Sequence, residues 1–181
     1  MNASSLVRSI FLAGLTTTLT LLVSGCSSCK PGKPGKTKAY HITVNLDESL
    51  KQSSVLVDIV PVTSASKEKW DSYSMSSYWR PGDARRNDTT DKITLSFISG
   101  RLVNEIGRLD PRWNKWLAQG VTHMMVLADL PGAPEDKPGS QDLRRQVLSL
   151  DSCYWPDKTT NLIVVVQKSG LTIQTPLRPA K

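Results

Sequence analysis

Tyr40, Ile42, Val44 and Leu46 are apolar, and His41, Thr43 and Asn45 between them are polar. This period of two belongs to a β-strand with one buried face. The pattern recurs in short runs along the chain. Val55, Val57 and Ile59 alternate with Leu56, Asp58 and Val60, apolar residues standing on both faces, and Pro61 marks an end or an edge. Ile93, Leu95 and Phe97 alternate with Thr94 and Ser96. Residues 121–130, centred on Met124, Met125, Val126, Leu127 and Ala128, form an apolar run bounded by Gly120 and Pro131-Gly132, as expected of a fully buried strand. Residues 143–150 supply Val147, Leu148 and Leu150. Leu162, Ile163, Val164, Val165 and Val166 form the strongest central-strand signal, and Lys168-Ser169-Gly170 turns it into Leu171-Thr172-Ile173 as a terminal hairpin. About seven strands at this spacing, with two short inserted helices, predict a mainly β protein, an antiparallel β-sandwich. An α+β sheet with both helices on one face is the alternative.

The first helix is predicted over residues 64–70, capped by Ser64 or Ser66. The second starts at Asp110-Pro111, a capping residue followed by a first-turn proline, and Trp113, Trp116 and Leu117 share its core face. Trp70, Tyr73, Tyr78 and Trp79 lie along the excursion after the second strand. They either cover one end of a core or form a stacking platform for a partner or a glycan.

Residues 1–25 read differently. Arg8 precedes an apolar stretch over residues 9–23 that is diluted by four threonines and is too short and polar for a comfortable membrane span. It ends in Val23-Ser24-Gly25-Cys26. Small residues admit a peptidase, and the Cys26 thiol can accept a diacylglycerol. This resembles the lipobox of bacterial lipoproteins. Residues 1–25 are therefore expected to be a signal peptide and Cys26 the lipidated residue of the mature chain. Ser27 in place of Asp after Cys26 implies, by resemblance to Gram-negative lipoproteins, the outer membrane, with the domain facing the periplasm. Residues 26–38 repeat Lys-Pro-Gly, which suits neither helix nor sheet, and read as a tether. Residues 39–181 form the β-sandwich domain.

Charge follows this division. Of 23 basic residues one, Arg8, lies in the leader, leaving 22 against 16 acidic ones. Lys30, Lys33, Lys36 and Lys38 account for four of that excess of six, so residues 39–181 carry only +2. A nucleic-acid-binding domain needs a basic stripe on its folded part, and that class is set aside. Cys29 and Cys153 remain after Cys26 is used; in an oxidising compartment they either pair, pinning the tether to the domain, or stay as thiols with Cys153 buried. Two histidines and no repeated C-x-x-C give no structural zinc site, and no cofactor is expected. There is no G-x-S-x-G, H-E-x-x-H, P-loop or dinucleotide glycine pattern, and the chain is not expected to be an enzyme. An enzyme would have to gather His41 or His123 with two carboxylates. Two surfaces are left for binding a partner: the connector over residues 47–53, with Asp47, Glu48, Ser49, Lys51 and Gln52, and the aromatic excursion.

Taken together, the lipobox, tether, first strand, short connector and the second strand Val55-Leu56-Val57-Asp58-Ile59-Val60-Pro61-Val62 are similar to the TssJ-type (VasD) lipoproteins of type VI secretion. So are Val126-Leu127-Ala128-Asp129 and the final hairpin. After Asp129 this chain has Leu130-Pro131-Gly132 where that family has an aromatic-Arg pair. The resemblance implies a transthyretin-like sandwich with added helices. It implies a scaffold that anchors the secretion membrane complex by binding the periplasmic part of an inner-membrane TssM-like protein, with much of the contact from the loop between the first two strands. By position that loop is residues 47–53. The rival reading is a solute- or glycan-binding lipoprotein that uses the aromatic platform.

Overall fold

The computed structural model describes residue 29 and residues 33–98, 100–132 and 135–179. Residues 1–25, expected to be a signal peptide, and Cys26 lie outside the described residues.

Among the described residues, eight strands form two four-stranded sheets. They are β1 (His41–Leu46), β2 (Val55–Val62), β3 (Ile93–Phe97), β4 (Val103–Ile106), β5 (His123–Asp129), β6 (Arg145–Ser149), β7 (Asn161–Gln167) and β8 (Gly170–Ile173). One sheet runs β4-β1-β7-β8 and the other β3-β2-β5-β6. The main core lies between them. It is built from the inward members of each alternation: Ile42 and Val44, Val57 and Ile59, Leu95 and Phe97, Met124 and Val126, Val164 and Val166. This is the expected β-sandwich, with two differences. Seven strands were expected, and β4 is the extra one: it is an edge strand in which only Ile106 is buried, so it carries no alternation to read. The other difference is a parallel pair, with Ile42 opposite Leu162 and Val44 opposite Val164. The chain returns over residues 150–160 to the end where β1 begins, so β1 and β7 start from the same end and run together.

Four short helices stand where two were expected: α1 (Ser64–Asp71), α2 (Met75–Tyr78), α3 (Ala84–Asp88) and α4 (Arg112–Ala118). Thr63 and Ser66 cap α1 reciprocally, whereas the sequence pointed to Ser64 or Ser66. α2 and α3 are about one turn each, too short for a helical period to show, and are set by the caps Ser74 and Asp83. α4 closes the core with Trp113 and Trp116, stacked edge to face at 5.1 Å. The Trp113 indole donates to the Gly107 carbonyl at 3.0 Å.

The pairing also reaches into the segment read as tether. Lys38 N donates to Leu150 O at 3.1 Å, Ser152 N to Lys36 O at 3.0 Å and Gly35 N to Asp151 Oδ1 at 2.8 Å. Gly35 is needed here: a Cβ on it would stand 2.5 Å from Cys153 Sγ and 2.6 Å from Asp151 Oδ1. Cys29 and Cys153 are joined as a disulfide, with Cα atoms 5.4 Å apart. Residues 35–38 thus belong to the folded body.

The outer face of the β3-β2-β5-β6 sheet is covered as well. Val60, Val62, Met125 and Leu127 point away from the main core and are buried under Trp70, Met75 and Tyr78. The second apolar face of β2 and β5 is explained by this cover. Arg145, fully buried, ties it down by donating to the carbonyls of Trp70, Asp71 and Tyr73.

Candidate partner-binding surface

β1 separates two ends of the sandwich. Its first residues adjoin 35–38 and Cys153; its last residue leads into the 47–53 connector. Six strand residues make that separation roughly 20 Å. The connector is tightly held. The Asp47 carboxylate accepts from Ser49 N at 2.9 Å, which caps a single 3-10 turn, Glu48–Leu50. Hydrogen bonding from the Ser49 side chain and then its backbone N, together with the nearby Lys168 charge, holds the Asp47 carboxyl below the usual carboxylate range. Leu50 is fully buried and pins the turn to the core. Glu48 and Lys51 pair at 3.3 Å on the surface. Asp47 N donates to Val166 O, and Leu46 N to Leu102 O, so the connector is tied to β7 and to the segment before β4.

Those ties bring together residues that sequence reasoning left apart. Around the connector end lie the Lys168-Ser169 turn, Ile98, residues 100–102 and Leu143. Ile98 is 63% exposed, Val103 49% and Leu143 44%. The signal for them was weak: each stands at the border of a polar stretch, with no alternation around it to read. Leu143 is placed here by the Leu171 N to Leu143 O bond at 2.7 Å and by Gly170, at φ 134, against which it packs.

The aromatic excursion is organised in the opposite sense. Trp70 is 8% exposed and Tyr78 fully buried, while Tyr73 and Trp79 are partly buried against them. Trp70 meets Tyr78 edge to face at 5.8 Å, and Tyr78 meets Trp79 at 5.2 Å. Arg85 lies over Tyr73 at 4.1 Å and Arg86 over Trp79 at 4.3 Å. Beneath them Asp58, fully buried, accepts from Tyr78 Oη at 2.9 Å, Arg86 Nε at 2.8 Å and Thr94 Oγ1 at 2.6 Å. Burial, and then the charge of Asp58, raise the Tyr78 phenol well above its ordinary value. These rings form a second core. The faces of Trp70 and Tyr78 are spent on each other and on β2 and β5, so they offer no open stacking platform.

A second charged cluster holds the cover from its other side. Arg144, buried, pairs with Asp142 at 2.7 Å and with Asp136, and Asp136 accepts from Ser74 and Ser76. Burial pushes both carboxyls up, but hydrogen bonds outweigh it, from Ser74, Ser76 and Arg144 for Asp136 and chiefly from Arg144 for Asp142. Both folded values therefore lie below the unfolded ones. Their contribution to stability is complete above the ordinary carboxylate pKa of about 3.9 and is lost as pH falls through the lowered folded values. Urea midpoints measured across acidic pH are expected to fall below about pH 4, and Asp136→Asn to flatten that fall. A midpoint that falls as steeply in the variant as in the parent would contradict this assignment.

The histidines gather no reactive set. His41 lies 3.5 Å from Glu105 on a strand surface. His123 lines a groove of ≈ 670 Å³ with Lys67, Asp71, Tyr154 and Ile173, where Asp71 is engaged by Lys67. Burial and Lys67 hold the His123 ring below its ordinary pKa. Among the described residues no group of three or more His, Cys, Asp or Glu could hold a metal.

The fold is thus a two-sheet sandwich with a helical cover over one outer face. No family model matches the chain, and no curated protein matches it. Solved structures do. One, from EAEC, is described as the T6SS protein TssM C-terminal domain; the TM-score is 0.50 at 15% identity, covering 74% of this chain and 98% of that chain. Serratia marcescens Lip, a membrane bound component of the Type VI Secretion System, gives 0.45 at 13% identity, covering 76% and 97%. The T6SS lipoprotein TssJ1 from Pseudomonas aeruginosa gives 0.45 at 14%, covering 81% and 100%. What is shared at these identities is the fold. The first likeness shows that this chain shares its fold with that structure.

Proposed function

We propose that this chain is a lipid-anchored, periplasm-facing component of a type VI secretion membrane complex, a non-enzymatic scaffold held at the outer membrane through Cys26. Its partner is the periplasmic domain of an inner-membrane TssM-like protein. One observation carries the reading: the segment following Cys26 is fastened at one end of the sandwich, and the 47–53 connector stands at the other. A domain anchored in this way presents Asp47, Glu48, Ser49, Lys51 and Gln52 away from its anchor, beside the exposed Ile98, Val103 and Leu143. Rigid loops on a sandwich suit recognition. The burial of Trp70 and Tyr78 counts against the glycan-platform alternative.

Exchanging the surface pair, Glu48→Lys with Lys51→Glu, keeps the local ion pair and reverses its polarity toward a partner. Binding to a purified TssM-like periplasmic domain, measured by calorimetry, is expected to weaken by about tenfold or more. Unchanged affinity in a folded double variant would remove the connector from the interface.

A further inference from the structure

We propose that the Cys153 end of the sandwich lies flat against an anionic phospholipid surface, so that the disulfide acts as a clamp setting the orientation of the domain on its membrane. The inference rests on the reading of Cys26 as the lipidated residue. Residues 26–38 would be a long, free leash if they were only a tether. Cys29, however, is bound to Cys153, and residues 35–38 are paired with 150–152. Only three residue steps separate Cys26 from Cys29, at most about 11 Å of chain. The Cα of Cys153 lies 5.4 Å beyond that. The domain therefore cannot float away from its lipid.

The chemistry of this end suits such a surface. Lys33, Lys36 and Lys158 are exposed here. Lys158 keeps a cationic side chain at φ 69, a backbone conformation that glycine would adopt with less strain. Tyr154 is 46% exposed and Leu177 56%, and they are held side by side because Arg178 N donates to Tyr154 O at 3.1 Å. The two acids nearby are occupied: Asp151 accepts from Gly35 N and Cys153 N, and Asp157 pairs with Arg178. Cations flanking an exposed Tyr and Leu fit a headgroup layer, whose field acts over about 8 Å at physiological ionic strength.

Hydrogen exchange of the full lipidated protein tests this, comparing phosphatidylethanolamine/phosphatidylglycerol vesicles with non-ionic detergent micelles. Peptides covering 153–159 and 174–179 are expected to exchange about tenfold more slowly on the vesicles, with 47–53 unchanged. Lys33→Gln, Lys36→Gln and Lys158→Gln together should reduce that protection while the protein stays on the vesicles. Equal exchange in the two media overturns the proposal, as does protection centred on 47–53 or full protection in the lysine variant. The mass of the N-terminal peptide is read in the same experiment: a Cys26 without acyl chains fails the anchor reading itself, whereas an acylated Cys26 with an unprotected 153–159 fails this proposal alone.

Discussion

Asp58→Ala is expected to lower the unfolding free energy by about 3–5 kcal/mol, read as a large drop in the urea midpoint. Asp58 is fully buried on the outward face of β2, opposite Thr94 of β3 and Leu127 of β5. Its carboxylate is the common acceptor for Tyr78, Arg86 and Thr94. Removing it strands a guanidinium and two hydroxyls beneath the helical cover, and an unsatisfied buried donor costs more than the hydrogen bond it has lost. Replacing Asp58, Arg86 and Thr94 together by apolar residues should recover part of the loss, because no uncompensated charge then remains. If Asp58→Ala shifts stability by less than about 1 kcal/mol, the network does not hold the cover. The expected loss concentrates in that cover: Trp70 and Tyr78 should become accessible while the inter-sheet core around Trp113 and Trp116 stays closed.

The second large effect comes from the disulfide. Cys29 and Cys153 are 124 residues apart in sequence, so the bond closes β1 to β6 into one loop and leaves β7 and β8 outside it. The chain-entropy description gives an upper figure of about 5 kcal/mol for a loop of this size, and native disulfides deliver about 2–5. Cys29→Ser with Cys153→Ser should therefore lower Tm by roughly 5–15 °C. The same variant should speed exchange at Gly35 and Lys38, whose bonds to Asp151 and Leu150 hold a short segment that the bridge keeps nearby. An unchanged Tm after reduction would show that residues 35–38 hold their place without the bridge.

Much of the sandwich was legible because its strands are half-buried and alternate. β1 and β3 announce themselves through one apolar face, and β7 through a continuous apolar run. β2 and β5 were readable as strands buried on both faces, but what buries their outer faces was not. That cover is made of helical turns of four to eight residues, too short to show a period, and of aromatic residues whose role depends on what they meet. The same limit applies to the candidate surface. The polar connector at 47–53 stood out, whereas Ile98, Val103 and Leu143 join it through backbone bonds between distant segments. Arg144 and Arg145 open the strand read over residues 143–150, where nothing local marks them as buried; carboxylate partners for Arg144 and backbone carbonyls for Arg145 make them fasteners.

Taken alone, the sequence determined the kind of structure, short alternating segments that must close as two facing sheets, and it supplied Val23-Ser24-Gly25-Cys26, on which the proposed lipid anchor rests. These are local properties, since side-chain alternation and a cleavage motif depend only on neighbours along the chain. Tertiary structure alone decided that β1 and β7 run parallel, that the aromatic excursion is a second core, and that Cys29 and residues 35–38 are fastened opposite the 47–53 connector. Each of these depends on which distant residues meet, and that is settled by burying two sheet faces and one outer face at once.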